Sequence, residues 1–212
     1  MLLAAVLAAA LAGGSAGAGE TTKMERTPET AGRSEVSLSL LPIPASPLLT
    51  FRIEFRVGSI DDPRGKEGLN ALTALTIGQG GTKDLTYREV TDRLYPMAAS
   101  IHAQPDREVT TFVGEVHRDH LRGFYQILTD LILKPRFDPA DFGRVRDNLV
   151  AQLETNLRGS DDEGLGKETL NWMMYEGLPA GHPNIGTVQG LKGITLEEVK
   201  AFYGAHYTRD QM

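Results

Sequence analysis

Metal or acid–base chemistry in this chain would start at His117-Arg-Asp-His120, where two histidines stand at metal-compatible spacing with Glu115 and Asp119 beside them. The pair falls on a strand-to-helix junction. There Asp119 reads more simply as a helix N-cap and the imidazoles as exposed. His102 is a lone histidine in a short strand, and His182 precedes Pro183 in a loop. Asp61-Asp62 and Asp161-Asp162-Glu163 have the composition of acid–base pairs, yet in turns such carboxylates serve as caps and solvated charge. Gly78-Gln-Gly80-Gly81-Thr82 follows a helix rather than a strand, so it reads as a helix stop and not as a phosphate cradle. No serine has a nucleophile-elbow context. With no cysteine, thiolate ligands, thiol nucleophiles, disulfides and a lipoprotein anchor are all excluded.

The elements that must position these residues occupy most of the 212-residue chain, a length that favours one domain or two small ones and can bury a sizeable core. Hydrophobic residues at 41% and charged residues at 24% exclude wholesale disorder. The formal charge of −6 argues against nucleic acid or an anionic membrane as the main partner, since both require a basic footprint.

Leu2 to Ala12 is an apolar run too short to span a bilayer, followed by small residues ending Ala16-Gly17-Ala18. It reads as a signal peptide over residues 1–18 and predicts export to a periplasm or beyond, although no Lys or Arg precedes the run. Residues 19–34 are polar and aperiodic and read as a linker; the folded domain is expected over 35–212.

Val36, Leu38 and Leu40 alternate with polar residues and predict a first strand. Leu49 to Val57 alternates more strongly and predicts a second. Leu69, Leu72, Leu75 and Thr76 are spaced for a helix that Gly78, Gly80 and Gly81 end. Thr86 and Glu89 form a capping box for a helix to Met97. Ala99–Ala103 and Glu108–Val116 are strands joined by a short turn, hence antiparallel. Helices are expected from Asp119 to Lys134, from the Asp138 cap to Leu157, over Asp162–Tyr175, and from the Thr195 cap through Tyr203. Trp172-Met-Met-Tyr175 reads as core. Strands and helices in blocks predict an α+β fold, a largely antiparallel sheet with helices packed on it. The chain stops without the closing strand this architecture wants, so it reads as a fragment of a longer protein.

Several segments together resemble the N-terminal domain of the M16 zinc metallopeptidases, the insulinase, pitrilysin and mitochondrial processing peptidase relatives. They are Arg56-Val-Gly58-Ser, the charged turn and Glu67-Gly68-Leu69 leading into Gly68 to Lys83, then Leu94-Tyr-Pro-Met-Ala-Ala99 and Leu133-Lys-Pro-Arg-Phe137. Gly181-His-Pro183, Gly186-Thr187 and Phe202-Tyr with His206-Tyr207 complete the set. Their order and spacing span residues 36–212. The resemblance implies an inverted zinc motif, His-x-x-Glu-His, on the helix after Gly68, with a further Glu ligand on a later helix.

The residues depart from that motif. Aligned on Gly68-Leu69, the two His positions hold Ala71 and Leu75, the Glu position holds Ala74, and the late ligand position holds Gln152. Ala and Leu offer no lone pair, and a neutral amide is a poor zinc ligand. Residues 1–101 contain no histidine, so no shift of register restores the motif. No catalytic, cofactor-binding or metal residue is therefore assigned, and no cofactor is expected in this domain, although active relatives carry zinc. The resemblance implies a non-catalytic subunit that encloses peptide beside a catalytically active M16 chain. The alternatives are a zinc endopeptidase whose site lies beyond Met212 and a non-enzymatic periplasmic binding protein.

Overall fold

A computed structural model describes residues 36–212; the segments expected to be a leader (1–18) and a linker (19–34) lie outside the described residues. Three antiparallel strands, β1 (Leu48–Phe55), β2 (Ser100–Pro105) and β3 (Thr110–His117), form one sheet in the order β1-β3-β2. The register sets Ile53 against Phe112 and Phe112 against Ala103. Because side chains alternate along a strand, this register sorts the two faces. Phe51, Ile53, Phe55, Phe112, Val116, Ile101 and Ala103 turn toward the helices and join the core. Thr50, Arg52, Glu54, His102, Gln104 and Glu115 are exposed on the other face.

Helix α1 (Leu69–Gln79) packs on β2 and is followed by α2 (Tyr87–Leu94), whose Thr86–Glu89 capping box forms as expected. α3 (Leu121–Leu133) buries Leu121, Phe124, Ile127, Leu128, Leu131 and Ile132, an i, i+3, i+4 stripe. Gly114 of β3 admits it closely, since a Cβ there would lie 2.7 Å from Phe124 Cζ. α4 (Pro139–Ala151), capped by Asp138, continues through a π-helical segment, Gln152–Leu157, into a last turn at Arg158–Ser160. α5 (Asp162–Met174), α6 (Val188–Gly193) and α7 (Leu196–His206) complete the order. Tyr203 Oη donates to the Ile132 carbonyl at 2.8 Å and ties α7 to the end of α3. The α+β architecture with helices on an antiparallel sheet is thus as expected.

Three expectations are corrected. Val36 to Leu40 forms no strand although the sheet has open edges; Leu38 and Leu40 are 55% and 62% exposed, so here their alternation has no apolar surface to pack on. Asp119 is not the cap: His117 holds that place, its Nδ1 accepting from the Asp119 N–H at 3.3 Å. Trp172, Met173, Met174 and Tyr175 are exposed rather than core, since no other element covers that side of α5.

Candidate functional site

The site to consider lies on α1 and the loop that leads into it. Gly68 precedes the helix at φ 107°, a conformation only glycine adopts without strain, and a Cβ there would meet Leu191 Cδ2 at 2.8 Å. The first turn is capped from a distance. Asp62 accepts from the backbone N–H groups of Gly68 and Asn70, both at 2.7 Å, so a carboxylate sits at the positive end of the helix. Its side chain is wholly inaccessible, which corrects the expectation of a solvated turn carboxylate. Burial raises its pKa to about 6, against the lowering effect of the Asn70 and Gly68 N–H groups and of His182. Asp61 does behave as a local cap, accepting from Gly58 N–H at 2.9 Å.

Asn70 then ties four parts of the chain together. Its Nδ2 donates to Thr110 Oγ1 at 3.0 Å, and its Oδ1 accepts from Tyr207 Oη at 2.9 Å. Thr110 Oγ1 lies 2.9 Å from the Val57 carbonyl, to which it donates. The start of β3, the end of β1, α1 and the end of α7 therefore meet at one buried polar knot. Burial pushes the Tyr207 phenol up, keeping it a donor. Nothing in the residue types alone marks Asn70, Thr110 and Tyr207 as partners, because they are 40 and 137 positions apart.

The positions onto which the sequence resemblance carries the zinc motif have the opposite chemistry. Ala71 and Ala74 are 0% exposed, Ala74 belongs to the main core, and Leu75 is half-buried against it. Gln152 opens the π segment and is exposed, while its neighbour Leu153 takes the buried place at 5%. Methyl and isobutyl groups have no electron pair to offer a cation, and packing has taken the space a ligand shell needs. The residues present do not fit zinc. Among the described residues no group of three His, Cys, Asp or Glu side chains gathers at metal distance.

The remaining candidates are separated by the fold. His117 and His120 come together, their rings 6.5 Å apart, but His117 Nδ1 is engaged with Asp119, whose carboxylate is 3.3 Å away. His102 is exposed on the open sheet face. Asp161 caps α5 through Gly164 N–H, and Glu163 pairs with Lys167 on the surface. Gly80 ends α1 as a helix stop. One further feature is a groove of about 300 Å³ between α2 and β2, lined by Val90, Leu94, Tyr95, Ile101 and Leu131. It runs beside the edge of β2 that no other described strand covers.

The α+β scaffold, with helices packed on one antiparallel sheet, defines a class: it is a peptidase-type fold shared with solved structures. The insulinase family profile, peptidase family M16, matches residues 44–187, and the chain belongs to that family. It is 23% identical over 155 residues to the mitochondrial-processing peptidase subunit beta of Dictyostelium discoideum, covering 73% of this chain and 33% of that protein. The subunit of the same name in Saccharomyces cerevisiae is 21% identical over 132 residues, 62% of this chain and 28% of the relative. The chain thus spans a third or less of the curated relatives it matches. Among solved structures, a peptidase M16 inactive domain from Pseudomonas fluorescens superposes with a TM-score of 0.68 at 19% identity, over 75% of this chain and 38% of that one. A protease from Helicobacter pylori gives 0.69 at 15% identity, over 78% and 40%. Identities this low speak for the fold. No helix of the described residues is long and apolar enough to cross a membrane.

Proposed function

We propose that this chain is a non-catalytic M16 subunit of a periplasmic or secreted peptidase complex, helping to enclose peptide substrate beside an active partner chain. The observation that carries the reading is the filling of the zinc positions by Ala71, Ala74 and Leu75 on a helix that is otherwise intact and packed. A helix relieved of ligands still supports the sheet, so wall and scaffold survive the loss of chemistry. The edge of β2 that no other described strand covers, with the apolar groove along it, suits an extended peptide that would add as a strand. The leader-like residues 1–18 support export. A solved M16 relative being an inactive domain supports the non-catalytic part.

The test is affinity purification of the tagged protein from its native cells, followed by mass spectrometry. Recovery of an M16 chain with an intact His-x-x-Glu-His motif in comparable amount is the expected result. Recovery of the protein alone would overturn the partner reading.

A further inference from the structure

The core side of the sheet is unevenly covered. On β3, the central strand, Phe112 and Val116 are fully buried, whereas Leu49, Phe51 and Ile53 on β1 are half-buried although they face the same core. β1 is an edge strand: it pairs with β3 on one side, and no other described strand pairs with it on the other. Just before it, residues 37–45 are exposed and carry Leu38, Leu40, Leu41 and Ile43. Half-buried apolar residues on an open edge thus stand beside an exposed apolar segment joined to the same strand.

The hydrogen bonds show which backbone groups of β1 point outward. Along an antiparallel pair, alternate residues bond to the partner and the residues between them turn away. Pro47 is of the first kind, its carbonyl accepting from Arg118 N–H at 2.8 Å. Leu48 and Arg56 are of the second: Leu48 N–H donates to Ser46 Oγ at 3.1 Å, and Arg56 N–H donates to the Gln211 carbonyl at 2.7 Å. The register between them is unbroken, so Thr50, Arg52 and Glu54 also present N–H and C=O outward.

The link to the exposed segment fixes how it meets them. Ser46 N–H donates to the Ile43 carbonyl at 3.0 Å, closing a turn over Pro44-Ala45. Extended from that turn, an antiparallel register sets Leu41, Ser39 and Ser37 against Leu48, Thr50 and Arg52, all at hydrogen-bonded pairs. It sets Pro42 against Pro47 at a non-hydrogen-bonded pair, where a missing N–H costs nothing. Leu40, Leu38 and Val36 then stand opposite Leu49, Phe51 and Ile53, and opposite residues share a face. The two serines fall on the open face with Thr50 and Arg52. A slip of one residue would reverse every side chain, so the alternation of the segment suits this register.

We propose that residues 36–41 are a strap that closes on the outer edge of β1 as a hairpin strand in this register. Closing covers Phe51, whose ring lies 5.8 Å from that of Phe124, and exchanges the Ser46 hydroxyl on Leu48 for the backbone of Leu41. The far end of the edge is held by Gln211, so Thr50 and Arg52 are the groups the strap takes. An uncovered edge is a template for wrong pairing, and the strap blunts it. Once it is closed, β2 is the described strand at which another chain can add.

Cysteine cross-linking in the full chain tests the register, because no native cysteine interferes. Ser39→Cys with Thr50→Cys places two thiols at a hydrogen-bonded pair, about 5.5 Å between Cα atoms and within disulfide reach. Ser39→Cys with Arg52→Cys sets them diagonally, at about 7–8 Å. Under mild oxidation at low protein concentration, the first pair is expected to close within one chain about 10-fold faster than the second. In hydrogen exchange, the Thr50 and Arg52 amides are expected to be protected in the wild type. In Leu38→Asp/Leu40→Asp they should lose about 10-fold of that protection while β3 stays constant. Both leucines are exposed in the open strap, so this variant keeps its fold. Equal oxidation of the two pairs, cross-links only between copies, or Thr50 and Arg52 amides that exchange alike in wild type and variant would each overturn the proposal.

Discussion

Helices α1 and α5 are of similar length, 11 and 13 residues, and stand in opposite relation to solvent. α1 lies among β2, α4 and α7 and buries nine of its residues, polar Asn70, Thr73 and Thr76 included. α5 carries Leu170, Trp172, Met173 and Met174 and buries nothing. The apolar content of a helix did not decide its burial; the elements around it did. In α1 the surroundings are core on every side, so Ala71 and Ala74 are fully buried. In α5 Leu170, Met173 and Met174 do stand at i, i+3, i+4, yet all three are exposed, because no described element packs over that face.

The sharpest way to break this contrast is to return a charge to α1. Ala74→Glu places a carboxylate in a fully buried, unpaired position and should cost upwards of about 4 kcal/mol, seen as a large loss in urea midpoint or as failure to fold. Phe124→Ala, at the contact of α3 with Gly114, should cost about 3–5 kcal/mol in the same assay. Asn70→Ala leaves Thr110 and Tyr207 without their shared partner and should cost about 1–3 kcal/mol.

A smaller effect is expected at the α7 cap. Hydrogen bonds from Lys66 and from Thr195 hold the Glu198 carboxyl down at about 2, against an ordinary 4.5. The folded value is the lower one, so this stabilisation is present above about 4.5 and fades as pH falls toward 2. Glu198 is partly exposed, and after allowance for solvent screening Glu198→Gln should cost about 0.5–1 kcal/mol at pH 7 and less at pH 3. Urea midpoints at the two pH values check the sign. Met173→Ser on α5 should change stability by less than about 0.5 kcal/mol. A cost of 2 kcal/mol or more there would show that α5 is covered in solution.

The sequence by itself determined the elements whose signals are local. Alternation from Leu49, the helical stripe of Leu121 to Ile132, and the caps at Thr86, Asp138 and Thr195 depend on residues within a turn or two of one another. It also determined that Ala71, Ala74 and Leu75 cannot hold a metal, since donor chemistry belongs to the residue type. Tertiary structure alone decided which face of each element is dry. It left Val36 to Leu40 without a partner, put Trp172 to Tyr175 in solvent, and made His117 rather than Asp119 the cap. It also joined Asp62 to His182 and Asn70 to Tyr207. Those pairs lie more than a hundred positions apart, and their contact and their desolvation exist only once the loop, α1 and the end of α7 have closed on each other.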